Sequence, residues 1–349
     1  MEQQRLPAAD LEFILQETMP MWEEMRNRRI FITGGTGFFG RWLLESFLRI
    51  NRVLQLNARA TVLSRDPKSF ANRAPHIATD PAITLLAGDI TTFDYPEGEF
   101  EYVIHAATEV AVVKAVEKPL ERLMVIQSGT ARTLHFAATH GTRKFLLTSS
   151  GAVYGRQPVH ITHVPEDYLG APDTSDPASA YGEGKRASEL MCSLYAVSSS
   201  IEFKIARCFA FAGPGLALDA NFAIGNFIGD VMLGRSVWIA GDGTPLRSYL
   251  YAADLAVWLW TMLFRAPSLE IFNVGSEEAI SIADLARRVV MTLGAQVDVR
   301  VAKQVMEGNV LVQYVPSTQK AQRVLNLRQT VGLDESIRRM AESNGWKSK

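Results

Sequence analysis

The 349-residue sequence contains only two cysteines, Cys192 and Cys208, and both lie within apolar stretches. So few cysteines exclude the disulfide framework of a small secreted domain, and we expect two buried thiols in a reducing compartment, the cytoplasm. The sequence also lacks an apolar run of the roughly 20 residues that a membrane-spanning helix needs. Its first residues lack the charged-then-apolar pattern of a secretory signal. No membrane partner is therefore expected.

An excess of positive charge is missing as well. The 36 lysines and arginines are matched by 37 aspartates and glutamates, which gives a formal net charge of −1. Proteins that follow a nucleic-acid backbone usually carry a basic excess, so no nucleic-acid partner is expected. A set of metal ligands is not evident either, because His160 and His163 lie in a loop without a third ligand. His105, at the end of an apolar strand, is interpreted as a core residue. No metal site is predicted.

Short apolar strands do alternate with helical segments through the first two thirds of the chain. Strands are predicted at residues 29–33, 60–63, 83–86, 102–105, 144–148 and 203–206. This alternation is typical of stacked βαβ units, in which right-handed crossovers bring the carboxyl ends of the strands to one edge. The sequence therefore predicts an α/β fold, a Rossmann-type doubly wound parallel sheet with a smaller C-terminal α/β substrate lobe.

Three segments are predicted along the chain. Residues 1–28 form an N-terminal helical extension, and residues 29–212 form the strand-rich domain. After residue 213 turns become denser, and residues 213–349 are predicted to form mainly the smaller lobe, with returns of the chain to the first domain. Helices are expected in this lobe near residues 226–233, 281–293 and 333–343.

A glycine-rich loop lies between the first strand and the first helix of the strand-rich domain. Gly34, Gly37 and Gly40 are spaced G-x-x-G-x-x-G, with Phe38 and Phe39 between the last two. In a dinucleotide-binding loop such glycines allow a tight turn, a close backbone approach to the pyrophosphate, and close packing of the helix on the strand. The free N–H groups of the helix N-terminus then face the phosphates. These five residues are predicted to bind a dinucleotide, so that residues 29–212 form an NAD(P)-binding domain.

The end of the second strand bears on which nicotinamide cofactor is bound. An NAD site usually has an acidic residue there, which binds the adenosine ribose, whereas an arginine accommodates the 2′-phosphate of NADP. The sequence has Ser64 and Arg65 at this point, which favours NADP, but Asp66 follows at once and leaves NAD open. Further cofactor contacts are predicted at the ends of the third and fourth strands, from Asp89, Ile90, Ala106, Ala107 and Thr108.

Tyr181 and Lys185 are four residues apart at the start of a helix and hence lie on one face. A phenol has a pKa near 10 and is a poor base at neutral pH, but a neighbouring ammonium group stabilises the phenolate. The pair is therefore a candidate for acid–base catalysis. A hydroxyl donor should complete it from the end of the fifth strand, where the sequence has Thr148, Ser149 and Ser150.

With these motifs the chain resembles the extended short-chain dehydrogenases/reductases, specifically their nucleotide-sugar epimerase/dehydratase branch. The resemblance spans residues 29–346 and also includes GDI, SSGAVYG and GDGTPLRSYLY. It implies that Ser150 hydrogen-bonds the reacting sugar oxygen, that Tyr181 is the acid/base, and that Lys185 binds the nicotinamide ribose and assists Tyr181. It implies that Arg247 contacts the diphosphate of a nucleotide-sugar substrate. Paired helices near residues 119–140 and 181–198 imply a homodimer.

Several positions depart from the family pattern. The acid pair that follows the catalytic hydroxyl in the 4,6-dehydratases is replaced by Gly151 and Ala152, and the decarboxylases usually keep a glutamate at the latter position. The usual substrate-binding asparagine after the sixth strand is Ala210, and Ser248 replaces the usual aspartate beside the arginine. Substrate contacts are predicted from Ser150, Ala210, Asn221 and Arg247.

The first hypothesis is an epimerase that acts through a transient 4-keto sugar, with Tyr181 as acid/base and hydride transfer at C4. The alternative is an NADPH-dependent reductase of 4-keto sugar nucleotides, which uses the same residues and is favoured by Ser64 and Arg65. A 4,6-dehydratase would need an acid/base pair from outside the usual positions. A non-catalytic NADP sensor would not need Ser150, Tyr181 and Lys185 together.

Overall fold

The apolar stretches of the sequence form fourteen short strands among the residues that are described. The computed structural model of the protein describes residues 5–107, 118–220, 222–304 and 311–347. The strands are β1 (Arg29–Thr33), β2 (Arg59–Ser64), β3 (Ile83–Ala87), β4 (Tyr102–His105), β5 (Lys144–Ser150), β6 (Glu202–Cys208), β7 (Phe211–Ala212), β8 (Val237–Ile239), β9 (Leu246–Arg247), β10 (Leu250–Tyr251), β11 (Ile271–Val274), β12 (Ile280–Ser281), β13 (Val299–Val301) and β14 (Gln313–Tyr314).

Seven of these strands form one sheet in the order β11-β6-β5-β4-β1-β2-β3. All neighbours in it are parallel, with Phe31 opposite Thr61 on β2 and Val103 on β4. The chain moves outward from β1 to β3 and then crosses back to β4, so the strand order reverses between β1 and β4. The predicted doubly wound parallel sheet is confirmed, and the reversal marks the edge at which such sheets bind ligands.

Helices cover both faces of this sheet. The α-helices of the described ranges are α1 (Ala8–Thr18), α2 (Phe38–Val53), α3 (Pro67–Arg73), α4 (Pro75–Ala78), α5 (Pro119–Thr139), α6 (Ala180–Ser198), α7 (Ala223–Met232), α8 (Ala252–Arg265), α9 (Ile282–Thr292), α10 (Gln319–Leu325) and α11 (Leu333–Glu342). One face packs on α2 and α8, where Trp42, Trp258 and Trp260 are fully buried. The other face packs on α5 and α6 through a cluster that includes Phe31, Phe136 and Cys192.

The region after residue 213 contributes to both parts of the molecule. Helices α7, α9 and α11 share a separate apolar core, close to the positions that the sequence predicts. Helix α8, which the sequence analysis does not predict, is apolar on all sides and buried along nearly its whole length. It packs on the large sheet, and β11 adds the seventh strand. The predicted domain boundaries stay a prediction.

The N-terminal extension is tied to distant parts of the chain. Helix α1 and a 3₁₀ helix over Met19–Met25 pack beside α2 and α8. The buried Asp10 accepts hydrogen bonds from the Tyr251 hydroxyl at 2.6 Å and from Arg339 at 2.5 Å. The extension therefore joins the start of α8 to the last helix.

The loop after β1 brings three backbone segments into very close contact. Gly34 has a φ of 72°, and a Cβ there would lie 2.4 Å from the carbonyl oxygen of Ala106. A Cβ on Gly40 would lie 2.2 Å from the backbone of Gly35. Since real Cβ atoms do not approach backbone this closely, both positions require glycine.

We predict that Gly40→Ala destabilises the protein, although alanine within a helix is ordinarily favourable by up to about 1 kcal/mol. The clash with Gly35 should outweigh that gain, with a net loss of about 2 kcal/mol in the free energy of unfolding, as is usual for overpacking. Urea denaturation measures it. Gly241→Ala is the matched control, because nothing lies within 4 Å of its added Cβ. Equal stability of the two variants would contradict the prediction.

Candidate active site

One large cavity of about 910 Å³ lies at the carboxyl edge of the sheet. Its floor is made by residues at the ends of β1, β2, β4, β5 and β6, and its walls by α2, α5, α6 and the C-terminal lobe. Parallel strands end at one edge, so motifs that are far apart in sequence meet here. The cavity therefore has the position expected for the predicted cofactor and substrate sites.

Most residues predicted to contact the cofactor line this cavity. They are Gly34, Gly37, Phe38, Phe39, Ser64, Arg65, Asp89, Ile90, Ala106, Ala107, Tyr181 and Lys185. Gly40 does not line it and instead packs against Gly35. Thr108 lies outside the described residues.

The glycine loop fits the pyrophosphate of a dinucleotide. Gly37 lines the cavity, and a Cβ on it would meet only the Gly34 oxygen, at 3.4 Å, so any side chain would extend into the cavity. Gly37 is the N-cap of α2, a helix of sixteen residues whose first turn has no side-chain cap. Its N–H groups and the positive end of its dipole can therefore bind phosphate.

The end of β2 presents a serine and an arginine to the cavity rather than a carboxylate. Asp66 is not among the lining residues, and its Oδ1 accepts the Ser69 N–H at 2.8 Å, which caps α3. The Ser64 hydroxyl is buried and accepts the Asp66 N–H at 3.2 Å. Thr91 donates two hydrogen bonds to Asp89 and lowers the pKa of that carboxyl, to which Arg65 adds a further lowering. Arg65 therefore faces the same part of the cavity as Asp89.

Ser150, Tyr181 and Lys185 meet at the end of β5. Ser150 hydrogen-bonds the Tyr181 phenol; burial nevertheless raises the pKa of Tyr181, and the hydrogen bond with Ser150 only partly offsets this. Lys185 is buried, donates from Nζ to the Thr148 carbonyl at 2.8 Å, and has a pKa lowered by burial to about 8. The structure thus places a phenol, a hydroxyl and an ammonium group together in one apolar cavity.

A second phenol, from Tyr314, lies against Ser150 and is not anticipated by the sequence analysis. Its hydroxyl oxygen is 3.4 Å from Ser150 Oγ and also donates to the Cys208 carbonyl at 3.4 Å. Strand β14 pairs in parallel with β9, which sets Tyr314 beside Arg247. Burial raises the pKa of Tyr314, so its hydroxyl stays protonated at neutral pH. No local pattern around residue 314 signals this position.

Arg122 is a further unanticipated residue. It lies in the first turn of α5, lines the cavity, and places its guanidinium carbon 4.4 Å from the centre of the Tyr181 ring. From the sequence, this helix is predicted only as one of the paired helices of a homodimer. A single arginine near the start of a helix does not indicate from the sequence that its side chain enters a cavity.

Buried hydrogen bonds hold the floor of the site behind these groups. The His105 ring nitrogens lie 2.8 Å from Thr33 Oγ1 and 3.2 Å from Thr130 Oγ1, and burial lowers its pKa to about 3. His105 is therefore a neutral core residue, as expected. Ser149 donates to Glu189, which also pairs with Arg207 at 2.7 Å.

Carboxylates are scarce in the cavity. Of the described residues that line it, Asp89 alone carries one, against four cationic side chains, namely Arg65, Arg122, Lys185 and Arg247. Asp89 follows β3, four strands from β5, which corresponds to about 19 Å at the usual strand spacing. A side chain at Gly151 would clash with the Phe209 ring, 2.6 Å from an added Cβ. The space beside Ser150 therefore holds neither acid of the dehydratase pair.

The substrate side of the cavity is largely apolar. Ala210 and Arg247, both predicted to contact substrate, line the cavity together with Phe209, Phe211, Leu216, Phe222 and Tyr249. Asn221 lies outside the described residues. Within the described ranges no cluster of three or more His, Cys, Asp or Glu side chains could hold a metal ion. No helix in them has the length and apolar character required to cross a bilayer.

Comparison with known proteins gives consistent matches. The model of the NAD dependent epimerase/dehydratase family matches residues 30–275. UDP-glucuronic acid decarboxylase 1 of Xenopus tropicalis is 26% identical over 314 residues, which cover 90% of this chain and 71% of the relative. This relative is a decarboxylase by name, which the alanine at position 152, where decarboxylases usually keep a glutamate, did not lead us to expect.

Solved structures share the fold at lower identity. A UDP-N-acetylglucosamine 4-epimerase from Methanobrevibacter ruminantium has a TM-score of 0.79 at 19% identity, covering 92% of this chain and 99% of that one. A UDP-glucuronic acid 4-epimerase from Bacillus cereus, in complex with UDP-glucuronic acid and NAD, has a TM-score of 0.76 at 21% identity, with coverages of 90% and 98%. The family model matches most of the chain, and residues of the glycine loop line one cavity together with Ser150, Tyr181 and Lys185. The chain therefore belongs to the NAD dependent epimerase/dehydratase family.

Proposed function

We propose that the protein is an epimerase that inverts C4 of a nucleotide-diphosphate sugar through a transient 4-keto intermediate. The observation that carries the proposal is the composition of the catalytic end of the cavity. It holds Ser150, Tyr181 and Lys185, the groups for proton and hydride exchange at one carbon, while none of its described residues has the carboxylate that elimination would need. The four cations around the cavity suit a dinucleotide and a substrate diphosphate, both anionic.

In the proposed reaction, Tyr181 as phenolate removes the proton from the 4-hydroxyl of the sugar. Ser150 donates a hydrogen bond to the same oxygen and fixes its distance from the phenol. A bound nicotinamide supplies the reversible hydride acceptor at C4. After the keto sugar presents its opposite face, Tyr181 returns the proton to the oxygen. Proton and hydride both come back, so the reaction is redox-neutral.

Lys185 has two proposed roles. Its ammonium group stabilises the Tyr181 phenolate from the next turn of α6, and it binds the nicotinamide ribose. The hydrogen bond from Nζ to the Thr148 carbonyl fixes the side chain beside the end of β5. Since its pKa is about 8, Lys185 is largely charged at pH 7 and loses that charge in mild alkali.

The reductase alternative rests on one specific observation. Ser64 and Arg65 line the cavity where the adenosine ribose would bind, and Asp66 is engaged as a helix cap. This arrangement favours NADP, the usual cofactor of net reductions. A reductase would use Ser150, Tyr181 and Lys185 in the same positions, but it would consume one NADPH for each keto sugar.

The epimerase proposal predicts C4-inverted product from a panel of UDP-, dTDP-, GDP- and CDP-hexoses and -hexuronates, with no net change in nicotinamide absorbance. In deuterated water, C4 should stay free of deuterium, because the hydride returns from the cofactor. Tyr181→Phe should lower the rate by about 100-fold or more, as for loss of a general acid–base. Tyr195→Phe on the same helix, outside the cavity, is the control.

Two results would separate the rivals. Stoichiometric NADPH oxidation with 4-keto sugars, and no inversion of any sugar in the panel, would replace the epimerase with the reductase. Release of carbon dioxide or of water from the sugar would contradict both proposals.

Cofactor selectivity is predicted to depend on Arg65. Loss of a charge-assisted hydrogen bond to the 2′-phosphate should weaken NADPH binding by about tenfold or more in Arg65→Ala, while NADH binding changes little. Isothermal titration with each cofactor measures this, with Lys68→Ala, an exposed cation nearby, as the matched control. NAD that co-purifies in near-stoichiometric amount, together with an Arg65→Ala variant of unchanged affinity, would contradict the NADP preference.

We also propose a homodimer formed through α5 and α6. Both helices leave apolar side chains exposed at helical spacing: Leu120, Met124, Leu190, Leu194 and Val197. Two copies of this surface would form a four-helix bundle, which the family resemblance implies. The double variant Leu190→Lys/Leu194→Lys should therefore be monomeric in light scattering, whereas Leu233→Lys, an exposed leucine elsewhere, should not change the mass. A monomeric parent protein at micromolar concentration would contradict the proposal.

A further inference from the structure

Of the four cations among the described residues that line the cavity, Arg122 stacks on the proposed acid/base. Helix α5 packs along α6, and the guanidinium carbon of Arg122 lies 4.4 Å from the ring centre of Tyr181. A cation at this distance over a phenol interacts with the ring face. The family resemblance assigns no role to this position.

The groups around Tyr181 come from five elements. Ser150 of β5, Cys208 of β6 and Arg122 of α5 act on the phenol, and Lys185 lies one turn farther along α6. Tyr314 of β14 completes the set through Ser150. None of these is a carboxylate, and burial raises the pKa of the Cys208 thiol to about 12, so that the thiol is neutral at neutral pH. The formal charges facing the phenol from the described residues are therefore those of Lys185 and Arg122.

The two cations differ in how they respond to pH. Lys185 is buried, and its pKa is lowered to about 8 chiefly by burial, with a smaller contribution from the positive charge of Arg122. A guanidinium stays protonated throughout the range in which a protein is folded. Above about pH 8, Arg122 is consequently the cation that remains beside the phenol.

We propose that Arg122 is a positioning residue that stabilises the phenolate form of Tyr181 by stacking on its ring. The inference rests on the proposed role of Tyr181 as acid/base. Stacking on a neutral phenol is a modest attraction, whereas a phenolate carries a full negative charge that the guanidinium attracts more strongly in a water-poor cavity. Arg122 therefore favours ionisation, in opposition to burial, which raises the pKa of Tyr181.

The test is an ultraviolet titration of tyrosinate in the complex with the oxidised cofactor, NAD or NADP, that binds more tightly. The titration curve of Tyr181 is obtained by subtracting the curve of Tyr181→Phe from that of the parent protein. For the variant, the curve of the double variant Arg122→Gln/Tyr181→Phe is subtracted from that of Arg122→Gln. We expect the Tyr181 midpoint to rise by about one pH unit in Arg122→Gln, which means about tenfold less phenolate at neutral pH. Arg122→Lys, which keeps a charge without the planar stacking group, should fall between the two.

Arg132→Gln is the matched control, because Arg132 lies on the same helix and stacks on Tyr95, 4.8 Å from its ring centre, outside the cavity. It should leave the Tyr181 midpoint unchanged. If Arg122→Gln does not fold, Arg122→Met, which keeps an apolar stem in the same space, replaces it in the titration.

Coinciding Tyr181 midpoints in the parent and in the Arg122 variants would overturn the proposal. So would a Tyr181 that stays protonated in all of them up to the pH of unfolding. Failure of this proposal can be distinguished from failure of the proposed function. Full activity of Tyr181→Phe would show that Tyr181 is not the acid/base. The titration would still report whether Arg122 changes the ionisation of Tyr181.

Discussion

The close approach of β1, α2 and β4 at the glycine loop is the contact on which the rest of the site depends. The backbone of Gly40 rests directly on Gly35, and Gly34 rests on the carbonyl of Ala106, with no room for a Cβ at either point. This contact sets the N-terminus of α2 at the carboxyl edge of the sheet. The cavity begins there, and the end at which we expect phosphate to bind presents backbone N–H groups, which need no side chain to be positioned. The catalytic end can therefore vary in chemistry without disturbing the cofactor end.

At the proposed catalytic end, burial and neighbouring charges together set the ionisation of Tyr181 and Lys185. Burial raises the pKa of Tyr181 and lowers that of Lys185, so it disfavours the charged form of both. On Tyr181, the hydrogen bond with Ser150 and the nearby guanidinium of Arg122 act against burial; on Lys185, the charge of Arg122 acts in the same direction as burial, and the charge of Glu189 acts against it. Cations near the phenol are needed because the cavity is apolar. The same apolar surroundings make each of them more effective, since charges interact more strongly where water is scarce.

Residues within local motifs could be predicted from the sequence, and residues brought in from elsewhere could not. Strands β1 to β6, the glycine loop and the Tyr181–Lys185 spacing each follow from patterns over a few residues, and the structure has the strands close to the predicted bounds. Tyr314 reaches Ser150 only because β14 pairs with β9, and a two-residue strand leaves no periodic signal. Helix α8 was missed for a related reason. Its residues are nearly all apolar and nearly all buried, and that burial is known only once α1, α2 and the sheet are in place.

The apolar substrate wall bears on which proposed reaction suits this cavity. In an epimerase the keto intermediate must rotate between the two hydride transfers, so that its opposite face is presented to the cofactor. Every directional hydrogen bond to the sugar has to be broken for that rotation. Among the described residues that line the cavity, none carries a side-chain amide: Ala210 stands at the usual asparagine position, and Phe209 occupies the space beside Gly151. Arg247 lies farther out, on β9, where it can hold a diphosphate while the sugar moves. That requirement is met by a cavity that binds the nucleotide end of the substrate through charge and binds the sugar end only weakly. A dehydratase needs the reverse, an acid and a base held against two neighbouring carbons.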